Sequence, residues 1–429
     1  MKSRKEILVG LVPLCLVVTS LIAAGEPASQ TQPMANLSLP PSGPLVILAW
    51  GAPSGADATP DRFKEFAEAG FTHGLTTVGS VPQARAVLEA AQAAGVKLLL
   101  ADGGISFEEL AAALKDHPAL GGYFVRDEPS AEDFPKLAET IRRIRQVDAD
   151  PNRICWINLF PSCTPEQMGV ENYAEYVYRF LREVPVEVLS YDCYPVKQAG
   201  VESNWYGGSL DIVASAARVF HKPLWIFIAS VGWGKTPDPN DGSFMPIPTL
   251  GGLRVQVYTN LAYGATGIEY FMYWTWKAPP PDYVKAGPID VEGRRTPTYD
   301  MVRQLNREMQ AQAGVFVGSK VETIRYVGGS APFGVRPYKP MAPIQRMDVG
   351  SKKAVVSLLS KGDRRFLVIV NQDPYGFSPL SLAWDPKTTM GRVAKDGSVK
   401  PLAGPSLETQ LDPGDACILT WKAEVQEAR

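Results

Sequence analysis

The sequence predicts a (β/α)8 TIM barrel, of α/β class, followed by a small C-terminal antiparallel β-sandwich. Two observations carry this reading. From Pro44 to about Val317, short apolar runs alternate with helical patterns eight times. After about Gly318 the helical pattern stops, and short alternating strands separated by Gly and Asp turns take over. The early strands are continuous apolar runs, which suits a parallel sheet covered on both faces. Eight such units over about 270 residues fit a closed barrel better than an open doubly wound sheet. No GxGxxG or GxxxxGK[ST] motif follows any strand, which weakens a nucleotide-binding alternative.

Leu45–Trp50 opens as an apolar strand, and Thr59-Pro60 starts the first helix with a capping residue and a proline in its first turn. Phe71–Val78 is the second strand, followed by the alanine-rich helix Val81–Ala94. Val96–Ala101 runs into Asp102-Gly103-Gly104, and Phe107–Leu114 is helical. Gly121–Arg126 is the fourth strand; it ends in Asp127 and Glu128 because Pro129 and Ser130 stop it, and a helix spans about Ala131 to Val147. Arg153–Leu159, Val186–Tyr191, Leu224–Val231 and Gly267–Tyr273 supply the last four strands. Helices cover Tyr173–Glu183, Leu210–Phe220, Leu250–Tyr263 and Thr298–Ala313. Beyond them Lys353–Leu359, Arg365–Val370 and Cys417–Trp421 read as antiparallel strands. Turns fall at Lys361-Gly362-Asp363, Lys395-Asp396-Gly397 and Asp412-Pro413-Gly414-Asp415, and no further helix is needed. The sandwich is expected to pack on the barrel through apolar residues of Thr298–Ala313.

Lys2, Arg4 and Lys5 precede an apolar run from Ile7 to Ala24, and Ala23-Ala24-Gly25 closes it. That is the layout of a secretory signal peptide over 1–25, implying a secreted or periplasmic protein. The run is also almost long enough to span a bilayer, so an uncleaved N-terminal membrane anchor is the alternative. Residues 26–43, rich in Pro, Ser and Gln, read as a flexible leader. The expected domains are therefore a 44–317 barrel and a 318–424 sandwich. With 43 basic and 45 acidic residues the net charge is -2, which gives no electrostatic case for nucleic acid or an anionic membrane. Three His and five Cys, without CxxC or Cys/His spacing, suggest no metal site, and no cofactor is expected. Cys163 and Cys193 follow successive strands, which leaves an export-compatible disulfide and free buried thiols both open.

In a barrel the site forms at the C-terminal ends of the strands. Those ends carry Trp50, Asp102, Arg126, Asp127, Glu128, Asn158, Tyr191, Asp192, Tyr194, Trp233, Tyr273, Trp274 and Trp276. Aromatic faces stack on the CH face of a pyranose, and carboxylates and amides pair with its hydroxyls, so this rim suits a carbohydrate. Any one Trp reads equally well as core packing, and Asp192 equally as an acid that holds a loop. Adjacent Asp127 and Glu128 repel, so one of them tends to hold its proton, as acid catalysis needs. Arg126 is placed to favour the charge on Asp127 and leave Glu128 protonated, unless its side chain points into the barrel. Glu269, inside Gly267–Tyr273 and flanked by Ile268 and Tyr270, reads as barrel-interior and paired, not catalytic.

At this point the chain resembles the glycoside hydrolases built on (β/α)8 barrels. The retaining members of the large barrel clan keep their acid/base Glu at the end of strand four, where Glu128 stands. Their helix-eight entry often resembles Asp290-Val291-Glu292-Gly293-Arg294-Arg295-Thr296-Pro297-Thr298-Tyr299, and a C-terminal sandwich is common. One departure is serious: that clan has its nucleophilic Glu after strand seven, and Phe227–Trp233 contains no carboxylate. The Asp127-Glu128-Pro129 triplet resembles instead the Asp-Glu pair of substrate-assisted β-N-acetylhexosaminidases, including a galactosaminidase family with a similar triplet. That resemblance implies Glu128 as proton donor and Asp127 as the group orienting a substrate acetamido nucleophile. The expected function is an exported, retaining glycosidase acting on an oligo- or polysaccharide, with Glu128 as general acid/base and Asp127 or Asp192 as its partner. The alternative is a barrel that binds glycans without cleaving them.

Overall fold

A computed structural model describes residues 38–234, 245–278, 283–329 and 335–423. The signal segment 1–25 and most of the leader lie outside the described residues. Among those described, no helix is long and apolar enough to cross a membrane.

Eight parallel strands close a barrel: β1 Val46–Ala49, β2 His73–Val78, β3 Lys97–Asp102, β4 Leu120–Asp127, β5 Ile154–Leu159, β6 Leu189–Tyr191, β7 Leu224–Ala229 and β8 Gly267–Phe271. They run in chain order around the ring, with β1 hydrogen-bonded to both β2 and β8. Helices follow as α1 Pro60–Glu68, α2 Val81–Ala93, α3 Phe107–Leu114, α4 Phe134–Val147, α5 Tyr173–Glu183, α6 Ser203–Val219, α7 Leu250–Ala262 and α8 Pro297–Ala311. Their starts are set by local chemistry. Thr59, Ser80, Ser106, Asn172 and Thr249 each accept a backbone N–H of the first turn, and Pro60, Pro82 and Pro297 need no donor there. The barrel interior is filled by Leu48, Leu75, Leu99, Trp156, Trp225 and Phe227. The outward residues of the same strands form the larger core against the helices. At Gly122 (φ 154°) a Cβ would fall 2.1 Å from the carbonyl oxygen of Ile154, so only glycine lets β4 approach β5 there.

The C-terminal region is a two-sheet β-sandwich. Its strands are β9 Lys320–Val327, β10 Ile344–Asp348, β11 Ala354–Lys361, β12 Arg364–Asn371, β13 Ser378–Trp384, β14 Gly391–Val393, β15 Val399–Pro401, β16 Ser406–Leu411 and β17 Ala416–Lys422. One sheet has the order β9-β11-β12-β17-β14-β15 and the other β10-β13-β16. Phe366, Val368 and Val370 of β12 join the core shared with the barrel helices, while Leu367 and Ile369 face the second sheet. That double burial explains why β12 is an unbroken apolar run rather than an alternating one.

The contact between the two parts differs from expectation. Helix α7, not α8, packs on β11, β12 and β17, and it is buried from Gly251 to Ala262 because it lies between β7 and that sheet. Helix α8 buries Val302, Leu305 and Met309 in the core that the barrel helices share with β11 and β12, and meets the sandwich through Glu308 and Gln312. Arg254 of α7 pairs with Glu308 of α8 at 2.8 Å and approaches Asp415 at 3.9 Å. Lys395 bonds Asp415 and lies 3.7 Å from Glu308. One short helix, Ala313–Phe316, follows α8 where none was expected. Cys163 is exposed, Cys193 is buried, and both are free thiols. At the described end of the leader, the carbonyls of Ser38 and Pro41 accept from Arg364 and Lys361 of the sandwich.

Candidate active site at the barrel mouth

A bulge in β4 decides which of its terminal residues face the barrel mouth. Phe124 pairs in register with Trp156, but Arg126 pairs with Ile157 and Asp127 with Asn158, so one extra residue enters β4 after Phe124. Trp156 points into the barrel and Ile157 into the outer core. The bulge therefore turns Arg126 outward and brings Asp127 in beside Asn158, re-aiming a side chain as bulges at sheet rims do. Asn158, 3% exposed, donates through Nδ2 to Asp127 Oδ1 at 3.1 Å. Asp127 stays open to solvent at the rim; the partial withdrawal of its carboxyl from water raises its pKa, opposed by the Asn158 hydrogen bond and by the charge of Arg126.

Glu128 stands next in a left-handed backbone conformation (φ 43°), with its N–H bonded to the carbonyl of Asn158 at 2.9 Å. A non-glycine residue there costs of order 1–3 kcal/mol and persists only where its surroundings hold it, which occurs most at functional sites. The turn sets Glu128 near Asp192, just beyond β6, close enough for Asp192 to act on its pKa. Burial first, then the neighbouring Asp127 charge, pushes the Glu128 pKa up to about 7. Burial and the charges of Glu128 and Asp127 likewise raise Asp192 well above the usual carboxylate range. Asn158 and Tyr194 stand close enough to support its charge, yet its buried Oδ1 receives no hydrogen bond from either. Two such neighbouring carboxyls, each raised by the other's surroundings, favour holding a proton.

Below the acids, Ser190 Oγ lies 3.3 Å from Asn158 Oδ1 and 2.6 Å from Glu269 Oε2. Glu269 is wholly buried inside the barrel and paired with Ser190, as its place in an apolar strand indicated. Around the acids runs an aromatic rim. Trp50 meets Phe124 at 5.2 Å and Phe271 at 6.3 Å between ring centres. Phe271 meets Trp233 at 5.3 Å and Tyr194 at 5.9 Å, and Tyr194 meets Trp233 at 5.1 Å.

The structure thus brings together Asp127, Glu128, Asp192, Asn158, Tyr194, Trp50 and Trp233. It does not bring in the others. Tyr191 and Tyr273 are 0% exposed and belong to the outer core, Tyr191 because Ser190 takes the inward place on β6 and Tyr273 because it packs on Phe66 and Phe71. Asp102 caps its own turn, accepting from the N–H groups of Gly104 and Ile105 at 2.7 and 2.9 Å. Trp274 lies under the Arg62 guanidinium, 5.1 Å from its ring centre, and Trp276 is 54% exposed without a described partner in the site. Arg126 is exposed and turned outward. Sequence reasoning missed Phe124, Phe271 and Ser190. A period of two along β8 places Phe271 on the side of Glu269 and would have found it; nothing marks Ser190.

Among the described residues of β7 and the segment that follows it, Leu224 to Gly234, no carboxylate is present. Among the described residues, no group of His, Cys, Asp and Glu is arranged to hold a metal.

No family model matches the sequence, and no curated protein matches it. Its fold does match solved structures. A catalytic-mutant structure of a family 42 β-galactosidase from G. stearothermophilus aligns with TM-score 0.59 at 8% identity, covering 88% of this chain and 98% of that one. The β-galactosidase from Bacillus circulans sp. alkalophilus aligns at 0.58 and 10% identity over 88% and 99%. A family 5 glycoside hydrolase from Bacteroides vulgatus aligns at 0.54 and 11% over 90% of each chain. The chain spans 60% of the β-galactosidase of Marinomonas ef1 and 59% of that of Halorubrum lacusprofundi. The barrel and the sandwich behind it are therefore the (β/α)8 architecture that several glycoside hydrolases share.

Proposed function

We propose that the protein is a glycosidase that cleaves an oligo- or polysaccharide, with Glu128 as general acid/base. The observation that carries this is Glu128 itself, held in a left-handed turn at the end of β4 with its N–H on the carbonyl of Asn158, at the barrel mouth beside Asp127; burial raises its pKa to about 7. A carboxylic acid that keeps its proton near neutral pH is what a poor sugar leaving group requires. The aromatic rim from Trp50 to Trp233 supplies faces for the sugar ring.

The charge of Glu128 raises Asp192, and we read Asp192 as a partner that tunes the acid's proton rather than as the nucleophile. Because β7 and the described residues after it carry no acid, we assign the nucleophile to the substrate's own 2-acetamido group. Glu128 protonates the glycosidic oxygen while the carbonyl oxygen of a 2-acetamido group attacks the anomeric carbon. Asp127, fixed by Asn158, accepts the acetamido N–H and stabilises the oxazolinium charge. Glu128 then takes a proton from water as that water opens the oxazolinium, which retains configuration. Export through the segment 1–25 completes the proposal.

The missing β7 carboxylate equally favours a second reading, a barrel that binds glycans without cleaving them. Assay of the purified protein against chromogenic N-acetylhexosaminides, plain hexosides and natural polysaccharides separates the two. Release of product with retained configuration, confined to N-acetyl substrates, supports the first reading. Saturable glycan binding without turnover of any substrate replaces it with the second.

A further inference from the structure

Glu269 is a buried titratable group that the reaction above does not use. It is 0% exposed on β8, with the apolar Leu48 and Phe227 on either side in register. Trp156 stands near enough to support its charge, yet Trp156 Nε1 and Glu269 Oε1 both remain without a hydrogen bond. Asp127 is the charged group whose field reaches it.

The Ser190 hydroxyl has one proton and two claimants, Glu269 Oε2 at 2.6 Å and Asn158 Oδ1 at 3.3 Å. If Glu269 is ionised, Ser190 must donate to it, and the buried oxygen of Asn158 loses its donor. If Glu269 is neutral, its acid proton goes to Ser190, Ser190 donates to Asn158 Oδ1, and Asn158 Nδ2 donates to Asp127 Oδ1 at 3.1 Å. Each donor then points toward Asp127. Burial, with the field of Asp127 adding to it, raises the Glu269 pKa to about 8, which agrees with the neutral form at neutral pH.

We propose that Glu269 is a positioning residue, a neutral acid that acts through Ser190 and Asn158 to hold Asp127 as the charged acceptor of the site. The inference rests on the role given to Asp127 above. It predicts a coupling that simple core packing would not produce, because Glu269 and Asp127 carry opposite ends of one oriented chain.

Infrared difference spectra of the wild-type protein against Glu269→Gln test it without any substrate. A neutral carboxylic C=O band present at pH 7 should vanish in the variant. In Asp127→Asn that band should titrate at lower pH, since the anion that opposes ionisation is gone. In turnover, Glu269→Ala should lower kcat by about 10–100-fold with KM little changed, Ser190→Ala should act non-additively with it, and Glu269→Gln should restore most of the loss. An absent band, or one whose titration ignores Asp127→Asn, overturns the proposal. So does equal loss in Gln and Ala variants. If the wild-type protein cleaves no glycoside, the spectra still decide, and the failure belongs to the glycosidase reading.

Discussion

Glu308 is the clearest place to test what joins the barrel to the sandwich. It pairs with Arg254 at 2.8 Å, both side chains 9% exposed, and it also receives Lys395 at 3.7 Å and the Tyr258 hydroxyl at 3.4 Å. With Asp415, and with the more exposed Asp412 4.0 Å from Arg254, the cluster holds two cations and three anions. Glu308→Gln removes one anion and leaves the buried Arg254 and the part-buried Lys395 facing Asp415 and the more exposed Asp412. Breaking a buried pair from one side costs about 3–5 kcal/mol, because a charge is left without its partner. Lys395 provides partial relief. Burial already lowers its pKa, while Asp415 and Glu308 hold it up, so loss of Glu308 lets it shed its proton more readily. The unfolded lysine keeps its ordinary pKa, so the penalty should be full at low pH and shrink as pH rises through the folded value. Urea unfolding at pH 6 should show the full loss, and a smaller one as pH rises toward the ordinary lysine pKa. Arg254→Met combined with Glu308→Leu removes one charge of each sign and should cost less than the two single changes added together. Single variants within about 0.5 kcal/mol of wild type at pH 6 would show that water screens the cluster and refute the reasoning.

Three further outcomes follow from the same geometry. Because the Glu128 carboxyl must be protonated to act as acid, and its pKa lies at about 7, turnover should fall about tenfold per pH unit above that value; a basic limb already near the ordinary glutamate pKa would contradict the assignment. Truncation after Gly318 uncovers the sandwich-facing side of α7, so the shortened barrel should lose solubility and heat resistance, and a monomeric, soluble and equally heat-resistant product would sink this account of the junction. Asp127→Asn should depress turnover of all N-acetyl substrates whatever the leaving group, whereas Asp192→Asn should mainly move the pH profile; abolished turnover of plain hexosides in Asp192→Asn would make Asp192 the nucleophile instead.

Strand and helix positions were legible because each barrel strand is an apolar run and most helices begin at a capping residue such as Ser80 or Ser106. The order of the strands follows, since parallel neighbours joined by helices leave little choice. The acids Asp127 and Glu128 were legible as a strand end, and Asp192 likewise. What the sequence hides is facing. The bulge that exchanges Arg126 for Asp127 has no marker in Val125-Arg126-Asp127, and only the register against Ile157 and Asn158 reveals it. Tyr191 and Tyr273 share the composition of the rim but fall on the outer face, and a strand end alone does not say which face that is. The junction was hidden for another reason. Helix α7 is buried all round, so it carries no polar stripe to show which side meets the sandwich.

The most direct test of the central claim is the turnover of Glu128→Gln on a natural, unactivated glycan. Glutamine keeps the size and hydrogen-bonding shape of the side chain but delivers no proton. Turnover should fall by roughly 10²–10⁴-fold, while a substrate with an activated aryl leaving group, which needs less protonation, should lose far less in its first step. Full activity of Glu128→Gln on the unactivated glycan would falsify the acid/base assignment and leave the barrel mouth as a binding surface, or place the chemistry elsewhere on the same rim.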